Sequence, residues 1–210
     1  MRILCYGDSN TYGYIPGTGE RYADDVRWPG VLKSLLGSGH VVIEEGLNSR
    51  TTVWEDPIDG PGKNGRTYLT PCLQSHAPLD VVILMLGTND LKMRFSMTPY
   101  DIATGVETLI EDIKKAGCGK NGATPRILVV CPTKVYNIGM AREIICQEGA
   151  AKSEQLPEYY RLIAERNGVD FMLAGDFAEP SAEDGMHWTP EGHRAMANGV
   201  LAKLREMQLL

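Results

Sequence analysis

Strand-like and helix-like segments alternate along the whole chain, which predicts an α/β protein with a five-stranded parallel sheet layered by helices on both faces, α/β/α. Two further observations support this. Val81-Val82-Ile83-Leu84-Met85-Leu86 is apolar throughout, as a strand covered on both faces must be. The first three strand-like runs each end in a polar turn rich in Gly, Ser, Asn and Asp, where the chain must leave the sheet.

Each element has its own signal. Arg2 to Tyr6 is a short apolar run that stops at Gly7, and Asp8-Ser9-Asn10 then forms a strand-to-helix turn. Thr11 to Asp24, rich in Gly and Tyr, reads as loop. In Asp25 to Leu36 the apolar residues fall near helical spacing, with Gly37 as the stop. His40 to Ile43 is a second, β-branched strand that leads into the turn Gly46 to Thr52. Trp54 to Gly65 is dense in Pro, Gly and Asp, hence a long loop, and Tyr68 to His76 fits a short helix. Asp80 to Leu86 is the third strand and ends in Gly87-Thr88-Asn89-Asp90. Pro99 to Ala116 is a helix with Pro in its first turn and an apolar stripe of Ile102, Val106, Leu109, Ile110 and Ile113. Ile127 to Val130 is the fourth strand, closed by Pro132. Lys134 to Gly149 is irregular, with scattered apolar residues. Ala150 to Asn167 reads as helix, in which Pro157 marks either a kink or the true start. Val169 to Leu173 is the fifth strand, and Thr189 caps a last helix that runs from Pro190 to about Glu206.

The composition narrows the function classes. At 210 residues, without repeat, low-complexity tract or linker, the chain fits a single domain spanning 1–210. Its net charge of −6, with no basic stripe, argues against nucleic acid or an anionic membrane as partner. The five cysteines are odd in number and irregular in spacing, with no Cys-x-x-Cys pair, so reduced structural thiols and no metal site are expected. No apolar run reaches membrane-spanning length. The chain enters a strand at once, which leaves no room for a signal peptide, so a cytoplasmic location is expected.

In a parallel sheet the turns after strands one, two and three lie along one edge, as does Asp184-Gly185-Met186-His187-Trp188, between strand five and the last helix. Ser9, Asn48-Ser49, Asn89, Asp184 and His187 can therefore converge. Each has a plainer reading. Ser9 can simply cap a helix, Asn and Ser populate turns for local reasons, and a lone His beside a helix start is usually structural. Asp8 and Asp90 are expected to hydrogen-bond nearby backbone. Taken together, however, the set offers a serine nucleophile, candidate oxyanion donors, a histidine base and a carboxylate three residues before it.

These turns also resemble a known family. Gly7-Asp8-Ser9-Asn10, the Gly46 turn, Gly87-Thr88-Asn89-Asp90 and Asp184-Gly185-Met186-His187 are similar, in order, to the four sequence blocks of the SGNH (GDSL-type) hydrolases. Glu44 to Thr52 and Met85 to Asp90 look like its arylesterase/acyltransferase branch. The resemblance implies a flavodoxin-like α/β/α fold and ester hydrolysis or acyl transfer without a cofactor. It implies Ser9 as nucleophile, His187 as general base and Asp184 as the carboxylate that orients it. Asn89 would be a side-chain oxyanion donor, joined by the backbone N–H groups of Ser9 and of a second-block residue. The sequence departs from the family twice. Asn10 stands where leucine is usual, and the second-block donor, usually glycine, aligns with Ser49, with Gly46 as the alternative.

Other residues carry weaker signals. Tyr12, Trp54 and Trp188 are candidates for the substrate pocket, whereas Trp28 fits core packing as well. Arg50 suits a surface or structural salt bridge better than a substrate anion, His193 is expected to be exposed, and Cys131 has no base assigned to it. A serine esterase of short acyl esters, with possible acyl transfer, is the expected function. A carbohydrate O-deacetylase, a lysophospholipase or thioesterase, and a non-catalytic binding module are the alternatives. The expected partner is a small-molecule ester, with a homo-oligomer as a further expectation because Ile138, Met140, Ile144 and Ile145 lie in an irregular stretch.

Overall fold

The computed structural model describes residues 1–210. Five strands, β1 (Arg2–Gly7), β2 (Val41–Gly46), β3 (Val81–Met85), β4 (Arg126–Cys131) and β5 (Asp170–Leu173), form one parallel sheet in the order β2-β1-β3-β4-β5. Eight α-helices connect and follow them: α1 (Ser9–Tyr12), α2 (Trp28–Leu36), α3 (Gly65–His76), α4 (Pro99–Ala116), α5 (Gly139–Ile144), α6 (Cys146–Ser153), α7 (Leu156–Asn167) and α8 (Pro190–Glu206).

Alternation along the strands divides the interior into two cores. Leu4 and Tyr6 face one side of the sheet with Leu69, Ile102, Val106, Leu109 and Tyr160. Ile3 and Cys5 face the other with Trp28, Leu32, Trp188, Val200 and Leu204. Helices α3, α4 and α7 therefore cover one face, and α2 and α8 the other. Each fully buried aliphatic side chain contributes about 1.5–3 kcal/mol of transfer free energy. Strand β3 is buried at all five positions, as its unbroken apolar run requires.

Several boundaries shift for local reasons. Helix α2 starts at Trp28 rather than Asp25, with Pro29 in its first turn. Strand β2 runs on to Gly46 because Glu45 and Gly46 pair with Tyr6 and Gly7. Helix α3 begins at Gly65, earlier than expected, where the Asn64 side chain accepts from the Arg66 N–H at 2.9 Å. The stretch Lys134–Gly149, expected to be irregular, contains α5 and the start of α6, and it buries Ala141, Ile145 and Gly149. Pro157 marks a true start, in the first turn of α7. Helix α4 has the expected bounds, closed at its N-terminus by a Thr98–Asp101 capping box.

From β1 the chain crosses to β2 on one side, then returns to β3 on the other. The carboxyl end of β1 is therefore a topological switch point, where open α/β sheets leave a crevice. Ser9 follows directly. Gly46, beside Gly7 in the sheet, is needed for close packing, since a Cβ there would lie 2.1 Å from the Tyr12 nitrogen.

Candidate active site

Ser9 opens α1, and Asp8 caps that helix by accepting from the Asn10 N–H at 3.1 Å. The Ser9 hydroxyl lies 2.8 Å from His187 Nε2, and His187 Nδ1 lies 2.7 Å from Asp184 Oδ2. The other Asp184 oxygen accepts from the backbone N–H groups of Met186 and His187, each at 3.0 Å. Burial pushes the Asp184 carboxyl upward, but the hydrogen bonds from His187 and these N–H groups outweigh it and hold the carboxyl below its ordinary value. An ionised carboxylate only accepts, so the proton on His187 belongs to Nδ1 and Nε2 accepts from the Ser9 hydroxyl. Gly185 makes the short loop possible. It has φ +78°, and a Cβ there would lie 2.4 Å from the Tyr136 carbonyl.

Ser9 and His187 line a cleft of about 260 Å³ together with Ser49 and Asn89. Asn89 Nδ2 donates to the Arg50 carbonyl at 3.2 Å. Ser49, not Gly46, faces the cleft, at φ +65°, a left-handed conformation that favours glycine. The Ser49 N–H donates to no backbone or side-chain acceptor.

The cleft lining includes apolar Met140, Ile144 and Met186 and polar Asn48, Asp59 and Lys92. The two stretches expected to flank the site, Trp54–Gly65 and Lys134–Gly149, supply Asp59 and Met140. Asp59 pairs with Lys92 and, at 3.0 Å, with Arg94. Against the upward push of partial burial, these partners lower its carboxyl to about 2. Asp90 is fully buried against the Thr52 N–H and hydroxyl, and burial raises its carboxyl to about 6. Asp8 and Asp90 thus bond nearby backbone, as expected.

The GDSL-like Lipase/Acylhydrolase family model matches residues 5–195. The chain belongs to this family. Among solved structures similar to it is the native aryl esterase of M. smegmatis, at 39% identity and TM-score 0.92, covering 100% of this chain and 99% of that one. Est24, a carbohydrate acetylesterase from Sinorhizobium meliloti, is 37% identical with TM-score 0.91, covering 98% of this chain and 99% of that one. No curated protein matches the sequence significantly. The chain is therefore an ester hydrolase by family, with the α/β SGNH fold.

The three aromatic residues expected to line this hydrolase's pocket lie elsewhere. Trp188 is fully buried in the core, its Nε1 donating to the Thr133 hydroxyl at 3.2 Å, because successive residues diverge and His187 takes the cleft side. Tyr12 points away, with the Arg21 guanidinium 4.2 Å over its ring, and Trp54 sits part-exposed on the surface. Tyr14 is the aromatic lining residue, with its ring centroid 4.2 Å from that of His187. Nothing in its local sequence sets it apart. Asn10, the residue that departs from the family, joins two of the blocks. Its side chain donates to the Met186 carbonyl and accepts from the Trp188 N–H, both at 3.2 Å.

His193 is buried rather than exposed. Its Nδ1 accepts from the Trp28 N–H at 3.3 Å, and its ring meets Trp188 and Tyr22 edge-on. Arg50 is structural, bonding the Gly7 and Glu45 carbonyls and stacking on Tyr6. All five cysteines are free, and Cys131 lies in the core with its thiol pushed far upward by burial. Away from the cleft, potential ligand atoms of Glu45, Cys72 and His76 lie within 4.8 Å of one another, although His76 Nε2 already meets Glu45 at 2.9 Å and the Arg50 guanidinium lies 5.7 Å from the adjacent Tyr68 ring. No helix is long and apolar enough to cross a membrane.

Proposed function

We propose that the protein is a serine esterase that removes short acyl groups from carboxylic esters through a Ser9 acyl-enzyme. The supporting observation is the continuous chain Ser9–His187–Asp184, with each link at 2.7–2.8 Å. As Ser9 Oγ attacks the ester carbonyl, its proton passes to His187 Nε2, and Asp184 stabilises the resulting imidazolium. The tetrahedral oxyanion is held by Asn89 Nδ2 and the N–H groups of Ser9 and Ser49. Collapse breaks the ester C–O bond, and His187 returns the proton to the leaving alkoxide. Water then enters by the same steps and releases the acid, while a second alcohol in its place yields a new ester.

The cleft favours small acyl groups. A cleft of about 260 Å³, lined in part by polar groups, has little room for a long alkyl chain, which argues against a lysophospholipase. A binding module needs no serine poised on a base. A carbohydrate O-deacetylase is the second reading, favoured by the polar lining residues Asn48, Asp59 and Lys92. Est24, to which the chain is similar, is a carbohydrate acetylesterase, in support of this reading. We extend the proposal to a homo-oligomer, because Trp54, Ile58, Ile138 and Met140 leave apolar surface exposed on the two stretches that supply the cleft walls. The free cysteines fit a reducing, cytoplasmic setting.

The test is covalent labelling. A serine-directed fluorophosphonate should modify Ser9, as read by mass spectrometry, and Ser9→Ala should lose both the label and hydrolysis of p-nitrophenyl acetate. An adduct on another residue of active protein would overturn the assignment. A chain-length series of p-nitrophenyl esters should show the rate falling beyond short acyl groups.

A further inference from the structure

We propose that Glu45, Cys72 and His76 form a binding site for a soft divalent cation of the zinc type, at the edge of the sheet beneath α3. None of the three lines the cleft, so the site stands apart from the proposed hydrolysis.

Two elements build it. Cys72 and His76 are four residues apart on α3, which sets them one above the other on one face of the helix. Glu45 lies opposite Tyr6 in the β1–β2 pair, and residues paired in register share a face of the sheet. Tyr6 packs in the same core as Cys72, so the Glu45 side chain turns toward the same helix. One carboxylate oxygen, one sulfur and one imidazole nitrogen thereby lie within 4.8 Å of one another. No other group of three His, Cys, Asp or Glu side chains in the chain comes together in this way. His76 Nε2 is 2.9 Å from Glu45 Oε1, both side chains are part-buried, and Cys72 is fully buried. Cysteine spacing argued against a metal because one ligand comes from a different element and no Cys-x-x-Cys pair announces the site.

The donor set selects the ion. Thiolate and imidazole suit zinc or cadmium, whereas calcium and magnesium take oxygen ligands. Around tetrahedral zinc, bonds of about 2.0–2.3 Å separate neighbouring ligand atoms by roughly 3.3–3.6 Å. His76 and Glu45 must therefore open slightly, and the more distant atoms draw in by about 1 Å. Burial, reinforced by the Glu45 charge and opposed by Arg50, raises the Cys72 thiol to about 12. A cation therefore binds by displacing the thiol proton. The thiolate so formed and the Glu45 carboxylate then balance the two charges of the ion. Two guanidinium groups oppose it: Arg50 donates to the Glu45 carbonyl, and Arg2 donates to the His76 carbonyl at 3.4 Å. A bound ion would tie β2, an edge strand paired only with β1, to helix α3.

The test is zinc and cadmium titration of protein first dialysed against a chelator. One zinc ion should bind per chain with release of a proton, and zinc at about 100 times its Kd should raise the melting temperature by about 5–10 °C. Cadmium should produce the ultraviolet charge-transfer absorption of a metal–thiolate. Cys72→Ser should abolish that absorption and the melting shift. Cys146→Ser, which alters the one cysteine that is not buried, should keep both. His76→Gln and Glu45→Gln, at part-buried positions, should weaken zinc binding by more than the roughly 10–100-fold that loss of a supporting group costs. These two variants carry the test if Cys72→Ser does not fold. An absent cadmium absorption in the wild type, zinc affinity unchanged in both Gln variants, or loss of the absorption in Cys146→Ser would overturn the proposal. Zinc that binds the Gln variants normally and blocks hydrolysis of p-nitrophenyl acetate would also overturn it, placing the ion at His187 in the cleft.

Discussion

Asn10 accepts a hydrogen bond from the Trp188 N–H at 3.2 Å, across 178 residues of sequence. Its amide nitrogen also donates to the Met186 carbonyl, so one side chain grips the backbone on both sides of His187. Asp184 and Ser9 orient the imidazole ring, and Asn10 fixes the segment that carries it. Asn10→Leu would place the residue usual in the family here but leave a buried N–H and a buried carbonyl unpaired. The expected loss is about 1–3 kcal/mol of stability per unpaired group. The check is chemical denaturation alongside kcat, which should fall with stability. Unchanged values for both would show that leucine packs here equally well.

Asn89 offers the side-chain amide of the proposed oxyanion hole, and in the structure its Nδ2 is occupied only by the Arg50 carbonyl. Asn89→Ala should lower kcat by roughly 10²–10³ with KM little changed. A change confined to KM would instead make Asn89 a substrate-binding group.

His193 carries a pH prediction. Burial, with His187 nearby, holds its imidazole at about 3, against an ordinary value of 6.5. The folded protein keeps it neutral while the unfolded chain protonates it below pH 6.5. Its contribution to stability is therefore present above 6.5 and lost progressively as pH falls toward 3. Melting temperature should drop across that window. In His193→Gln, which can retain an acceptor for the Trp28 N–H, the drop should be shallower. Parallel curves for the two proteins would exclude His193 as a source of the acid sensitivity.

These residues show what the sequence makes legible and what it hides. The strands could be read because β3 is apolar at every position and the other runs are closed by turn residues. Ser9, Asn89, Asp184 and His187 could be read because acyl-transfer chemistry needs those side chains and a parallel sheet puts their turns on one edge. Backbone conformation is not written in composition, so that Ser49 faces the cleft while Gly46 packs against Tyr12 appears only in the structure. Side-chain direction is hidden in the same way: Trp188 and His187 are adjacent, yet one enters the core and the other the cleft. Tyr14 carries no motif. The signal for His193 was present, since His193, Met196, Ala197, Val200 and Leu204 share one helical face that is buried. Asn10 could be noticed as a departure from the family, but its two partners lie on a segment nearly 180 positions away.

The final prediction concerns the fate of the acyl-enzyme. Once Ser9 is acylated, water and alcohol compete for the same carbonyl, and the outcome depends on which the cleft holds better. The apolar lining residues Met140, Ile144 and Met186 disfavour ordered water, and the polar Asn48, Asp59 and Lys92 offer partners to a hydroxyl. The stretches that supply these walls also expose Trp54, Ile58 (71% exposed), Ile138 and Met140. Contact of these residues with a second copy would bury them and narrow the entrance in one step. The protein should therefore run as a homo-oligomer by light scattering. It should also convert an activated acetate ester and a primary alcohol in water partly into the new ester, with more than the alcohol's share of the acyl acceptor pool. Charged substitutions at Ile58 and Met140 should dissociate the assembly and shift the partition toward free acid while Ser9 stays reactive to the fluorophosphonate. A monomer that yields only acid would refute the restricted entrance and leave the hydrolase itself standing.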